Sequence, residues 1–217
     1  KTSPTSLLDG ESIAQLMVGR ELSSLYPAKN EPDVDEKVVL AVNSVSTGYV
    51  RDASFDLRKG EILGFSGMIG SGRTELMEAI VGLRSRAAGE VIANGHPVPP
   101  HDVHAAIDAG LAYMTKDRKS KGLLLNSGMT ANLTLQSLDR HGKFGYLSAT
   151  SEANALALAR RRFDIRVRDG NIVAGRMSGG NQQKLLLAKV METEPQIIII
   201  DEPTRGIDVG TKQQIYH

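Results

Sequence analysis

The run Gly67-Met68-Ile69-Gly70-Ser71-Gly72-Arg73-Thr74 constrains the fold more than any other part of the chain. It follows the pattern G-x-x-x-x-G-K-[ST] at every position except the lysine, where Arg73 stands. Glycines let backbone N–H groups close around phosphate oxygens, and the positive end of a helix starting near Arg73 faces the same anion. Gly67, Gly70, Ser71, Gly72, Arg73 and Thr74 are therefore expected to bind nucleotide phosphates, with the Thr74 hydroxyl placed to ligate Mg²⁺. A guanidinium is planar and larger than an ammonium, so Arg73 is expected to weaken nucleotide binding or slow hydrolysis. Standing alone, the run would also suit a glycine-rich turn with no ligand.

Its surroundings favour the phosphate reading. Gly60-Glu61 reads as a turn into the apolar run Ile62-Leu63-Gly64-Phe65, and Thr74 to Val81 continues as a helix. Strand, glycine loop and helix in that order form the phosphate-binding unit of α/β nucleotide proteins. Ile197 to Ile200 is continuously apolar and β-branched, as expected for a parallel strand covered on both faces. Asp201 and Glu202 then fall at its C-terminal end, where ligands sit in open α/β sheets. Asp201 is expected to hold Mg²⁺ through water, and Glu202 to orient or deprotonate an attacking water. A third element, Met177-Ser178-Gly179-Gly180-Asn181-Gln182-Gln183-Lys184, opens the apolar helix Leu185 to Met191 and makes a second anion-binding helix start.

That third element resembles the LSGGQ signature of ABC ATPases. With the altered phosphate loop and the run Asp201-Glu202-Pro203-Thr204-Arg205-Gly206-Ile207-Asp208-Val209-Gly210, the whole chain resembles the C-terminal nucleotide-binding half of the tandem ABC ATPases of ribose, galactose, arabinose and xylose importers. Family members commonly carry arginine where Arg73 stands, and Leu16-Met17-Val18-Gly19-Arg20-Glu21-Leu22 resembles the tail of their first half. The resemblance implies an α/β P-loop NTPase of ABC type: a mainly parallel sheet under helices, an antiparallel β part and an inserted helical subdomain. It implies ATP and Mg²⁺ as cofactors and Glu202 as the catalytic carboxylate. It makes Ser178, Gly179, Gly180, Asn181 and Gln182 a signature that serves the ATP of the opposing half. The implied partners are the first nucleotide-binding half of the same polypeptide, membrane permease subunits and, through them, a periplasmic sugar-binding protein. The implied place is the cytoplasmic face of the inner membrane, as a peripheral subunit.

One departure concerns the family loop Tyr-x-x-Glu-Asp-Arg-Lys, which reads Tyr113-Met114-Thr115-Lys116-Asp117-Arg118-Lys119. Lys116 stands where other ABC proteins place a Mg²⁺-contacting glutamine. A cation cannot ligate metal, so Lys116 is expected to meet solvent, a carboxylate or a phosphate. Tyr49 lies at a short spacing from Arg73 for an aromatic that stacks on adenine.

Residues 1–30 read as the tail of a preceding half and a linker, with an amphipathic helical pattern at Ile13, Leu16, Met17 and Leu22. Residues 37–217 read as a second ABC domain, C-terminally truncated, with a helical subdomain over about 117–177. Within it Thr150 or Ser151 is the expected cap of a helix running through Ala155 to Arg162. Lysine and arginine number 26 against 25 acidic residues, a net charge of +1, so no field of the whole molecule draws in nucleic acid and no such partner is expected. The absence of cysteine excludes disulfides and thiolate zinc sites. Apolar runs such as Ile197 to Ile200 fall far short of the ~20 residues of a membrane helix, so membrane contact is expected through a partner. His96, His101, His104 and His141 read as surface residues. Two other functions share these motifs: a soluble ABC ATPase acting as a clamp on nucleic acid or ribosome, and a module that binds nucleotide without hydrolysing it.

Overall fold

In the computed structural model the description covers residues 34–216 apart from Asp169, together with Pro4, Leu8, Asp9 and Ile13. The expected first helix and linker therefore lie outside the described residues, except that the Ile13 N–H donates to the Asp9 carbonyl at 3.0 Å.

Strand β1 (Val38–Ser46) turns Leu40, Val42 and Val45 inward and pairs antiparallel with β2 (Ala53–Arg58). The chain then makes the Gly60-Glu61 turn, passes the phosphate loop and enters helix α1 (Arg73–Ile80). Strand β3 (Ala88–Ala93) returns to the other edge of β1 and doubles back into the short β4 (His96–Pro97), giving a four-stranded sheet in the order β2-β1-β3-β4. Helix α2 (Val103–Asp108) starts where the Asp102 carboxylate accepts the Ala105 N–H at 2.9 Å, and it delivers the chain to β5 (Leu111–Met114).

A polar stretch follows, with a π-type turn at Arg118–Gly122 and helices α3 (Met129–Thr134) and α4 (Leu138–His141). A hairpin of β6 (Gly142–Lys143) and β7 (Tyr146–Leu147) leads to the long α5 (Ala149–Arg162). The cap of α5 is Ser148, whose hydroxyl accepts the Ser151 N–H at 3.2 Å, two residues earlier than Thr150, the first of the two expected caps. Serine and threonine cluster there, and only the backbone trajectory out of the hairpin selects which of them turns the first corner. Helix α6 (Gly179–Glu192), strand β8 (Ile197–Ile200) and helix α7 (Val209–Tyr216) complete the described chain.

Strand β8 pairs parallel with β5 in the register Leu111↔Ile197 to Met114↔Ile200. Side chains alternate across a strand, and the two faces of this pair serve two different cores. Leu111, Tyr113, Ile197 and Ile199 face a core made with Leu40, Val42, Val91, Leu76 and Ile80. Ala112, Met114 and Ile198 face a second core of Met129, Leu133, Leu156, Ile165, Leu185 and Leu186. The isoleucine run thus packs on both faces, with Ile197 buried and Ile200 at its end 47% exposed; full burial of such a side chain stabilises by roughly 1.5–3 kcal/mol.

One expected strand does not form. Ile62 to Phe65 makes no ladder, and Ile62 is 96% exposed. The segment runs along the wall of a groove of about 440 Å³ whose far wall is Ile197 to Ile200. A central strand is held by ladders on both edges, and among the described residues none lies beyond Ile62 to Phe65. Phe65 anchors the segment instead by packing edge-on against Phe55 at 4.9 Å.

Candidate functional site

The phosphate loop enters α1 through two glycines with φ of +85° at Gly70 and +86° at Gly72. That region suits glycine, and Gly72 is held by space as well: a Cβ there would lie 2.5 Å from Val50 Cγ2. Gly72 is also the N-cap of α1, so no side chain occupies the first-turn N–H groups of this helix. Arg73 reaches across to Glu202, its nitrogen 3.9 Å from the carboxylate, with both side chains about a third or more exposed (33% and 39%). This is a loose pair that leaves the guanidinium free to turn toward an anion. Tyr49 stands beside Gly72, and the Arg84 guanidinium lies 5.8 Å from its ring centroid.

Parallel pairing brings the second half of the site to the same place. Met114 and Ile200 are the last partners of the β5–β8 ladder, and the Asp201 N–H continues it by donating to the Met114 carbonyl at 2.9 Å. Asp201 thereby reaches the start of α1, where the Thr74 hydroxyl donates to its Oδ2 at 2.8 Å. The Tyr113 hydroxyl approaches the same oxygen at 3.4 Å. Burial raises the Tyr113 phenol far above its ordinary value, and the negative Asp201 adds to the effect, so this group stays a proton donor. Glu202 follows with φ of +44°, a left-handed conformation uncommon outside glycine, and points its carboxylate toward Arg73. The structure thus gathers Arg73, Thr74, Asp201 and Glu202 in one place.

Lys116 has a partner that the sequence did not suggest: its ammonium donates to the Thr74 hydroxyl oxygen at 2.7 Å. The reason is the strand register, which ends β5 and β8 together and sets the loop after Met114 against α1. That loop is fastened on both sides. Asp117 accepts the Ser120 N–H at 3.1 Å, and the Gly122 carbonyl accepts the buried Lys189 ammonium at 2.9 Å. Lys121 is tied to Glu78 of α1 at 2.6 Å, and Glu78 also takes Arg84 at 2.7 Å. Burial pushes the Glu78 carboxyl up, but the hydrogen bonds from Lys121 and Arg84 together outweigh it and hold the group below the usual carboxylate range. Sequence reasoning passed over this cluster; the available signal was a lone acid between Met77 and Ala79 on an apolar helix face.

The oxygens of Thr74 and Asp201 have the chemistry of Mg²⁺ ligands, but the ion does not fit beside Lys116. Any Mg²⁺ at its usual distance of about 2.1 Å from Thr74 Oγ1 would lie within about 5 Å of the ammonium. Unit charges 4 Å apart interact by about 4 kcal/mol at an effective dielectric of 20, and a divalent ion doubles that. The Asp201 carboxylate on the same hydroxyl attracts as the ammonium repels, so the obstacle is that the ammonium already holds the Thr74 oxygen.

The signature residues occupy a different cleft. Ser178 caps α6 by accepting the Asn181 N–H at 3.4 Å. The Asn181 amide bonds the backbone of Arg166 in both directions, at 3.0 and 2.9 Å, and Gln182 donates to the Ala174 carbonyl at 3.0 Å. Arg118 joins this helix to the loop beyond Glu202, donating to Gln182 at 3.3 Å and to the Arg205 carbonyl at 3.0 Å. A Cβ on Gly180 would lie 2.5 Å from Thr211 Oγ1, so glycine is what lets α7 pack there, and a Cβ on Gly179 would lie 3.1 Å from the Arg118 guanidinium. Ser178, Gly180 and Asn181 line a cleft of about 170 Å³ that no phosphate-loop residue borders. His141, read as a surface residue, is buried with its ring between the Ser151 hydroxyl at 3.0 Å and the Glu192 carboxylate at 3.3 Å.

A loop at a helix start, a strand-end acid bonded to it and a capped Ser-Gly-Gly helix match one known assembly. The family model described as ABC transporter matches residues 50–205. The chain belongs to the ABC transporter family. It is 40% identical over 210 residues to ribose import ATP-binding protein RbsA 2 of Burkholderia pseudomallei strain 1710b, covering 96% of this chain and 41% of that protein. It is 41% identical over 217 residues to ribose import ATP-binding protein RbsA of Oceanobacillus iheyensis, covering 100% of this chain and 43% of that protein. The ABC chain thus spans less than half the length of these relatives. Its fold is that of a dimeric ATP-binding cassette in a post-hydrolysis state with ADP and Pi, at a TM-score of 0.69, 19% identity, and 81% and 79% coverage of the two chains. A nucleotide-free ATP-binding cassette from an ABC transporter gives a TM-score of 0.68 at 16% identity, covering 82% of this chain and 74% of that one. Among the described residues of the ABC chain, no helix is long and apolar enough to cross a membrane.

Proposed function

We propose that this ABC domain binds ATP and forms the second nucleotide-binding half of the ATPase subunit of a monosaccharide importer. The observation that carries the reading is the 2.8 Å bond from Thr74 to Asp201, which closes the phosphate loop onto the strand-end carboxylates across the sheet. Gly67, Gly70, Ser71 and Gly72 form the loop around the phosphates, with the Ser71 N–H closing the loop on the Met68 carbonyl at 3.1 Å, and Arg73 supplies positive charge. Asp201 fixes the Thr74 hydroxyl, and Glu202 orients the attacking water or takes its proton. Ser178, Gly179, Gly180, Asn181 and Gln182, of which Ser178, Gly180 and Asn181 line a separate cleft, serve the ATP held by the first half. Residues 1–30 form the tail of that half and the linker, and 37–217 form this domain, with its helical subdomain over about 117–177.

The named relatives are ribose import ATP-binding proteins, which supports import of ribose or a similar sugar. Two membrane permease subunits as partners, a periplasmic binding protein beyond them and a peripheral position on the cytoplasmic face of the inner membrane complete the proposal. Reconstitution tests this. The polypeptide carrying the domain, assembled with its permease in liposomes, should take up ribose, galactose, arabinose or xylose only with ATP. Failure to move any of these sugars, with ATP hydrolysis intact, would remove the importer assignment.

A further inference from the structure

We propose that Lys116 is the resident cation of this nucleotide site, so that the domain takes ATP free of divalent metal. The proposal rests on the reading of Gly67 to Thr74 as an ATP site and specifies the form of ATP that the site accepts. Three observations carry it. First, the Lys116 ammonium sits on Thr74 Oγ1 at 2.7 Å, while that hydroxyl gives its own proton to Asp201 at 2.8 Å. The two oxygens that would serve a metal are thus committed to each other and to a fixed positive charge. Second, the backbone of the loop that carries Lys116 is anchored on both sides of it. The β5–β8 register ends at Met114 and Ile200, Asp117 closes the following turn on Ser120, and Lys121 and Lys189 pin the far end of the loop. Third, the other basic group of the site, Arg73, is bound only loosely to Glu202 at 3.9 Å. Arg73 and Lys116 together place two cations about the mouth of the loop. Charge-assisted hydrogen bonds from such groups neutralise phosphate oxygens directly, with no ion to be recruited from solution.

Calorimetric titration of the chain with ATP, in buffer holding either magnesium or EDTA, tests the idea. In the unaltered chain the Kd should stay within about threefold between the two buffers, or ~0.65 kcal/mol. In Lys116→Gln the site should open to the ion: EDTA should weaken ATP binding at least about tenfold relative to magnesium, or ~1.4 kcal/mol. Lys116→Arg keeps the charge and should keep metal-free binding, which also covers the case in which Lys116→Gln loses binding under both conditions. If Lys116→Arg then lost metal-free binding as well, the proposal would fall. A tenfold or larger magnesium requirement in the unaltered chain would overturn the proposal while leaving the nucleotide site in place. Absence of ATP binding to the unaltered chain in both buffers would overturn the nucleotide-site reading and this inference with it.

Discussion

The Thr74 hydroxyl and the Asp201 carboxylate meet at 2.8 Å although 127 positions separate them. This single contact joins the helix after the phosphate loop to the end of the isoleucine strand, and it is partly shielded from water. Thr74→Val keeps the shape and deletes the donor, leaving Asp201 with the long bond from Tyr113 and Lys116 without its acceptor. A hydrogen bond to a charged group contributes about 1.5–3 kcal/mol, so the variant should lose roughly that much stability. The check is the denaturant midpoint, which should fall with an unchanged m-value. No shift in the midpoint would show that the contact contributes nothing.

Two glycines of the phosphate loop share almost the same φ and differ in what surrounds them. At Gly70 an added Cβ would meet nothing within 4 Å, whereas at Gly72 it would meet Val50 at 2.5 Å and Tyr49 at 3.1 Å. Gly70→Ala should therefore cost only the left-handed backbone strain of about 1–2 kcal/mol. Gly72→Ala should cost that plus overpacking of about 1–3 kcal/mol. Thermal melts of the two variants side by side decide the matter, and equal losses would contradict the packing seen at Val50.

Glu78 makes stability depend on pH in a definite direction. Its folded carboxyl lies below the usual range, so its contribution is present above the unfolded value of about 4.3 and fades as pH falls through the folded one. Arg84 and Lys121 are themselves 37% and 56% exposed, so screening keeps the contribution of the cluster to roughly 1–2 kcal/mol. Glu78→Gln should lose that amount at neutral pH, and the gap to the unaltered chain should narrow in acid. A gap that stays constant from neutral pH to about pH 3 would refute the linkage.

In the polypeptide that carries both halves, the signature and the carboxylate of this one domain should serve different ATP molecules. Ser178→Arg puts bulk and charge at the signature but also deletes the cap of α6, which costs ~1 kcal/mol. Ser178→Asp keeps a capping acceptor and places a negative charge where a phosphate is expected. Both should abolish most ATPase activity and sugar uptake, with the aspartate variant close to normal in stability. Glu202→Gln touches only the site of Arg73 and should retain about a hundredfold more activity, ~2.7 kcal/mol of barrier. Equal losses at saturating ATP would mean that both sites turn over.

The family, the phosphate loop, the strand-end acids and the signature helix were legible in the sequence because each is local. Gly70 and Gly72 declare their backbone angles, Ser178 declares a helix start, and Ile197 to Ile200 declare a strand packed on both faces. What the linear order could not show is where those pieces touch. The strand over Ile62 to Phe65 failed because a ladder depends on neighbours that no local pattern encodes. His141 went inside, where the Ser151 hydroxyl bonds its Nδ1 and the Glu192 carboxylate stands 3.3 Å from its Nε2, residues 10 and 51 positions away. Lys116 could be read from sequence as unable to bind metal. Only the parallel register of β5 and β8 decided that its ammonium would stand on the Thr74 hydroxyl, because long side chains take their positions from the backbone segments that pairing brings together.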